Sequence, residues 1–120
     1  MKNNQALGRL GEQLAAKYLQ SKGYKIVARN FRTRNGELDL VTLKDSTLIC
    51  IEVKTRVGNL YGTPLEAIGF YKLQALIRTV AYFQLLHPDL PQASRLDAIA
   101  IELTDSGKLI SLQHIPNITQ

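Results

Sequence analysis

Cysteine is nearly missing from this chain of 120 residues, with Cys50 its one thiol. That excludes an internal disulfide and any zinc cluster built on cysteines. Histidine is almost as scarce, and His87 and His114 have no liganding partners at metal spacing, so both are read as structural. No apolar run approaches the roughly 18 residues of a membrane helix, which excludes a helical span. Met1-Lys2-Asn3-Asn4-Gln5 leads into no signal-peptide apolar core, so export by that route is not expected and the cytoplasm is the expected compartment. Repeats, low-complexity tracts and linkers are missing too, so residues 1–120 are read as one domain. The tyrosines 18, 24, 61, 71 and 82 form no stacking motif of the kind RNA-binding sheets use.

What is present is ordinary for a globular protein: 45% apolar and 21% charged residues. A chain this long buries roughly two-thirds of its unfolded surface and needs neither metal nor disulfide to fold. The net charge of +5 is unevenly placed. Residues 1–60 carry eleven Lys or Arg against five Asp or Glu, a balance of +6, and residues 61–120 carry four against five, a balance of −1. A basic half points to a polyanionic partner, nucleic acid before an acidic membrane. Solvated lysines that merely keep a small protein soluble would give the same count.

Hydrophobic spacing divides the chain. Leu7, Leu10, Leu14 and Tyr18 recur at helical intervals, predicting a helix from Gln5 to about Gln20. Asn3 or Asn4 can cap its start and Gly23 its end. Tyr24 to Phe31 reads as a first strand. Glu37–Leu43 and Leu48–Lys54 are β-prone runs joined by Lys44-Asp45-Ser46-Thr47, a hairpin signal. An even-length turn centred between Asp45 and Ser46 pairs positions whose numbers sum to 91. Asp39 then lies opposite Glu52 and Glu37 opposite Lys54, all four on one sheet face. Leu38, Leu40, Ile49, Ile51 and Val53 take the other face. Val41, Leu43, Leu48 and Cys50 make the first face apolar as well, so the sheet wants cover on both sides, an α/β arrangement. Thr63-Pro64-Leu65-Glu66 reads as a capping box. A helix from about Lys72 to Leu86 follows, burying Leu73, Leu76, Ile77, Val80 and Phe83, and His87-Pro88 closes it. Ser94–Leu103 and Leu109–Ile115 are two further strands with Asp105-Ser106-Gly107 as their turn.

Three carboxylates and an ammonium at the end of a buried face are expensive unless paired or bound to a metal. Asp39 and Glu52, about 4.5–5.5 Å apart at Cβ, repel unless something positive sits between them. Mg²⁺, with Mn²⁺ as substitute, suits such oxygen donors, and the Val53 carbonyl could add another. Lys54 would then orient or deprotonate the water for in-line phosphodiester hydrolysis. The same residues also read as cross-strand salt bridges, Glu37 to Lys54 with Asp39 partnered elsewhere.

Gly36-Glu37-Leu38-Asp39 followed by Ile51-Glu52-Val53-Lys54 resembles the PD-(D/E)XK core of restriction-endonuclease-like nucleases, archaeal Holliday-junction resolvases among them. More closely, the chain resembles the YraN-like family of small bacterial proteins. That resemblance runs through Gly8-Arg9-Leu10-Gly11-Glu12, Ala15, Tyr18-Leu19, Asn30-Phe31-Arg32, both acidic motifs, Lys54-Thr55-Arg56, Gly62, Lys72 and Arg95-Leu96-Asp97. It implies a restriction-endonuclease-like core, a central mixed β-sheet flanked by α-helices in the order αβββαββ. It also implies a Mg²⁺-dependent endonuclease acting on DNA, with branched or structured DNA among the substrates. A nucleic-acid-binding protein without cleavage on the same scaffold is the alternative. Asp39 and Glu52 carry over as metal ligands, Lys54 as catalytic, and Glu12 as an added acidic member from the first helix; Glu37 completes the acidic set. Leu38 stands where the motif's name puts proline. Resolvase-like relatives cut both strands of a junction at once, which favours a homodimer, and no membrane partner is expected.

Other residues have two readings each. Glu12 falls with Gly8 and Ala15 on the side of the helix away from Leu7, Leu10 and Leu14, where it could reach the acidic site or simply pair with Arg9. Gly8 and Gly11 each lower helix propensity by about 1 kcal/mol relative to alanine, which points to close approach or a frayed turn. Arg29, Arg32, Arg34 and Arg56 cluster around the hairpin entry, and guanidinium forks bind phosphate bidentately; solvated arginines are the other reading. Lys72 could add a phosphate contact or be a plain surface lysine. Arg95 and Asp97 alternate onto one strand face and read as a structural pair, with each other or with Arg56.

Overall fold

A computed structural model describes residues 4–58 and 68–119. The Thr63–Glu66 capping box, Tyr61 and Gly62 lie outside the described residues. The element order is α1 (Asn4–Ser21), β1 (Lys25–Arg32), β2 (Glu37–Lys44), β3 (Thr47–Val57), α2 (Phe70–Leu86), β4 (Ser94–Leu103) and β5 (Leu109–Ile115). This is the expected αβββαββ order, compatible with a restriction-endonuclease-like core. The five strands form one mixed sheet in sequence order, antiparallel throughout except for the parallel pair β3–β4. A parallel pair needs a crossover, and α2 lies in that connection. No helix among the described residues is long and apolar enough to cross a membrane.

Both sheet faces are covered. On one, Leu7, Ala15, Ala16 and Leu19 of α1 pack on Leu40, Ile49, Ile51, Ile99 and Ile101. On the other, Leu76, Val80 and Phe83 of α2 pack on Val41, Leu48, Cys50, Leu96 and Ala98. In α1 the buried line is Leu7, Gly11, Ala15 and Leu19, and the predicted Leu10, Leu14 and Tyr18 flank it. Small residues therefore face the sheet, and a Cβ at Gly11 would overlap the Thr55 side chain. Gly11 lets α1 sit against β3, and this explains a glycine that helix propensity alone would reject. Nothing in the structure explains Gly8, which has open space around it.

Two positions depart from the expected core. Ile77 is 38% exposed, while Thr79 is fully buried, its hydroxyl donating to Ala75 O. Leu76, Thr79, Val80 and Phe83 follow one helical stripe, and Ile77 lies about 100° round from Leu76. Leu38, expected beside Leu40, instead joins Val41 and Cys50 on the α2 side. Strict alternation lapses there because β2 is parting from β3.

The hairpin has the predicted register. Leu40 pairs with Ile51, Val41 with Cys50, and so on to Lys44 with Thr47. Asp45 and Ser46 both have positive φ, 51° and 61°, as a two-residue type I′ turn requires.

Candidate active site at the β2–β3 notch

The ladder between β2 and β3 ends at Leu40–Ile51. Just beyond, the Val53 N–H donates to Asp39 Oδ2 at 2.7 Å, a bond that a β2 carbonyl would have taken in a continued ladder. The strands open into a notch, and Asp39 and Glu52 both line the cavity there. Both residues are buried. Burial pushes the Asp39 carboxyl up to about 9; the hydrogen bond and charge of Glu52 add to the rise, the Val53 N–H opposes it, and Glu12 contributes from further off. The Asp39 carboxyl is therefore favoured in its protonated form.

Two lysines address Glu52. Lys72 Nζ, from the first turn of α2, lies 2.6 Å from Glu52 Oε2, and Lys54 Nζ is 4.0 Å from the same oxygen. Glu52 Oε2 is buried and takes no directed hydrogen bond, so the Lys72 contact is a Coulombic one with poor hydrogen-bond angles. Lys54 is held below its ordinary pKa by burial and by Lys72, against the pull of Glu52 and Asp39. Burial would lower Lys72 as well, but Glu52 reverses the sign and holds its ammonium charged.

The expected Glu37–Lys54 pair is not formed, because the strands have separated before reaching it. Glu37 turns back to β1 instead: it is the strand partner of Arg32, and Arg32 Nε lies 3.4 Å from its Oε1. Glu12 and Glu37 are joined by Asn30, whose side-chain amide donates to Glu12 Oε1 and to Glu37 Oε2, both at 2.9 Å. Sequence reasoning missed this bridging role. Its signal was a residue type that tolerates left-handed backbone, since Asn30 has φ 52°. A cavity of about 340 Å³ opens over the notch, lined among others by Gly36, Glu37, Asp39, Glu52, Lys72 and Leu76.

The arginines are spread over separate elements, and Arg56 lines a cavity with Asn4, Leu7 and Gly8 of α1 rather than the notch. Arg29 and Arg32 are exposed on β1, Arg34 is exposed in the β1–β2 turn, and Arg56 lies near the end of β3. Arg32 is partly committed to Glu37.

Arg95 and Asp97 do pair with each other, the guanidinium donating from Nε and Nη2 at 2.8 and 2.9 Å. Asp97 is also hydrogen-bonded to His114 Nε2 at 2.8 Å and accepts from the Asn117 N–H at 2.9 Å. Tyr18 Oη meets His114 Nδ1 at 3.1 Å. His114 is thus structural, yet with a carboxylate partner that its sequence spacing did not reveal. His87 stacks on Phe83 with ring centroids 4.0 Å apart and closes α2.

Among the described residues no group of three or more His, Cys, Asp or Glu side chains is arranged to hold a metal ion. Glu37, Asp39 and Glu52 bring carboxylate oxygens to the cavity, of which Asp39 and Glu52 are the expected ligands, with the Val53 carbonyl as an expected third donor. That set is short for calcium but suits magnesium, which keeps several waters and uses one or two carboxylates. Glu52 Oε2, ion-paired but without a directed hydrogen bond, is an oxygen that such a cation would satisfy.

The model of the uncharacterised protein family UPF0102 matches residues 11–101. A UPF0102 protein of Alkaliphilus oremlandii is 39% identical over 117 residues, covering 95% of this chain and 97% of the relative. One from Geobacter metallireducens is 38% identical, covering 96% and 93%. A third, from Nocardia farcinica, is 47% identical over 103 residues, covering 85% and 80%. The chain belongs to family UPF0102, the YraN-like family its motifs resemble.

Proposed function

We propose that this protein is a metal-dependent nuclease that hydrolyses phosphodiester bonds of DNA, with branched or structured DNA among its substrates. The observation that carries the reading is that Asp39 and Glu52 line one cavity at the notch, with Lys54 Nζ 4.0 Å from Glu52 Oε2. Asp39, Glu52 and the Val53 carbonyl would hold Mg²⁺ or Mn²⁺. When bound, such an ion polarises a phosphate oxygen and acidifies a water. As a ligand Asp39 would be ionised, its proton passing to solvent, and the Val53 N–H would hold its carboxylate in place. Lys54, whose ammonium stands beside Glu52, orients the attacking water and offsets charge on the phosphate, and the water's proton passes to solvent. The leaving oxygen takes a proton from solvent. Glu12 and Glu37, tied through Asn30, keep the α1 side of the notch acidic. Arg29, Arg32, Arg34, Arg56 and Lys72 supply phosphate contacts, a homodimer would allow both strands of a junction to be cut, and the cytoplasm is the proposed compartment.

A binding protein without cleavage is the second reading, favoured by the Lys72–Glu52 contact, which fills the notch with a side chain. Linear, single-stranded and four-way-junction DNA incubated with Mg²⁺, Mn²⁺ or EDTA separates the two. The nuclease reading expects divalent-dependent cutting, reduced at least about a hundredfold in Asp39→Asn and in Lys54→Ala with the fold intact. Salt-sensitive binding with no cutting under any metal would leave the second reading in its place.

A further inference from the structure

Two ammoniums converge on one buried oxygen, which is more positive charge than a single ion pair needs. Lys54 comes from the strand that carries Glu52 and stays 4.0 Å away, whereas Lys72 reaches across from α2 to 2.6 Å. The Lys72 side chain is 46% exposed against 26% for Lys54, so its stem can swing toward solvent without disturbing the core. It also lines the cavity over the notch. Glu52 Oε2, which Lys72 touches, has no directed donor and is the oxygen that the nuclease reading gives to a divalent cation.

We propose that Lys72 is a built-in stand-in for that cation. In the metal-free protein its ammonium neutralises Glu52; with an ion in the notch the ammonium is displaced into the cavity, where it faces a bound phosphate. This rests on the nuclease reading and adds to it a coupling: the lysine and the metal compete for one carboxylate oxygen. Positive charge a few ångströms from a cation's seat weakens its binding, and the ion must first part Lys72 from Glu52. Metal affinity is therefore low until Lys72 moves, and a phosphate that draws Lys72 away raises it by the same factor as the metal raises phosphate affinity.

The test is Mn²⁺ binding followed by electron paramagnetic resonance of the free ion, with no substrate present. Lys72→Met is expected to bind Mn²⁺ about tenfold or more tighter than the unaltered protein. Lys72→Arg should stay near the original affinity, as should Lys17→Met, which removes an exposed charge elsewhere. Tighter binding in Lys72→Met, including binding that appears only in that variant, supports the inference. Equal or weaker binding in Lys72→Met overturns it and leaves the metal reading standing, whereas no binding in any of these proteins sinks both. Should Lys72→Met fail to fold, the unaltered protein decides: on Mg²⁺ titration the Lys72 ¹³Cε resonance should move at the same concentrations as the Val53 amide. A moving Val53 with a static Lys72 overturns the stand-in; both static sinks the metal reading too.

Discussion

A carboxyl that keeps its proton at neutral pH is set up to exchange that proton for a harder cation, and Asp39 is such a group. Its folded pKa of about 9 stands well above the ordinary value of about 3.9 for an unfolded chain. The folded protein therefore holds this proton more tightly than the unfolded one. The associated stability is full below about pH 4 and is lost as pH rises toward 9. Asparagine imitates the protonated acid: its carbonyl can accept from the Val53 N–H, and its amide can donate to Glu52. Asp39→Asn should thus lack this decline, and at pH 8.5 without metal it should melt a few degrees above the unaltered protein. Mg²⁺ should raise the melting temperature of the unaltered protein at pH 8.5 and leave that of Asp39→Asn nearly unmoved. Thermal melts at pH 5 and 8.5, with EDTA or Mg²⁺, measure both effects; a variant less stable than the original at pH 8.5 would contradict a proton held on Asp39.

At the scale of elements, the Asp97 cluster does for β4 and β5 what the hairpin turn does for β2 and β3. Asp97 on β4 binds His114 on β5 and the backbone of Asn117 beyond it. Burial alone would raise its pKa, but the hydrogen bonds of His114, Arg95 and the Asn117 N–H hold it down at about 2. The stability this provides is present above about pH 4 and is lost as pH falls from there to about 2. Asp97→Asn should cost about 2–4 kcal/mol at pH 7, because Arg95 loses its buried counter-charge. Urea unfolding at pH 7 and pH 3 should show the cost shrinking in acid. The strands and their register were legible because alternation and turn chemistry are local signals, and the sum-of-91 pairing holds as far as Leu40–Ile51. The ladder's end was not, since Asp39 takes the Val53 N–H through its side chain and no local pattern encodes that substitution. Leu38 changed faces for the same reason. The partners of Lys72 and Asn30 are not legible in the sequence, because those contacts join elements that only the folded sheet brings together.

For the whole molecule, the charge imbalance of the sequence becomes a matter of where the arginines stand. Arg29 and Arg34 are exposed on β1 and in the turn that leads into the notch-forming strand β2. Asp39 and Glu52 are buried, with Lys54 and Lys72 beside Glu52, so they screen little of this β1 rim of the sheet. A polyanion drawn to the rim would release about one counterion for each phosphate neutralised, making affinity fall steeply with salt. If the rim is the DNA footprint, Arg29→Ala with Arg34→Ala should weaken binding and reduce the slope of log K against log salt by nearly 2. Lys108→Ala, an exposed lysine in the acidic half, should leave the slope unchanged. Fluorescence anisotropy of labelled DNA across about 50–200 mM salt, in EDTA so that nothing is cut, reads both. Equal slopes for all three proteins would place the footprint away from the β1 rim and detach the basic half of the chain from the notch.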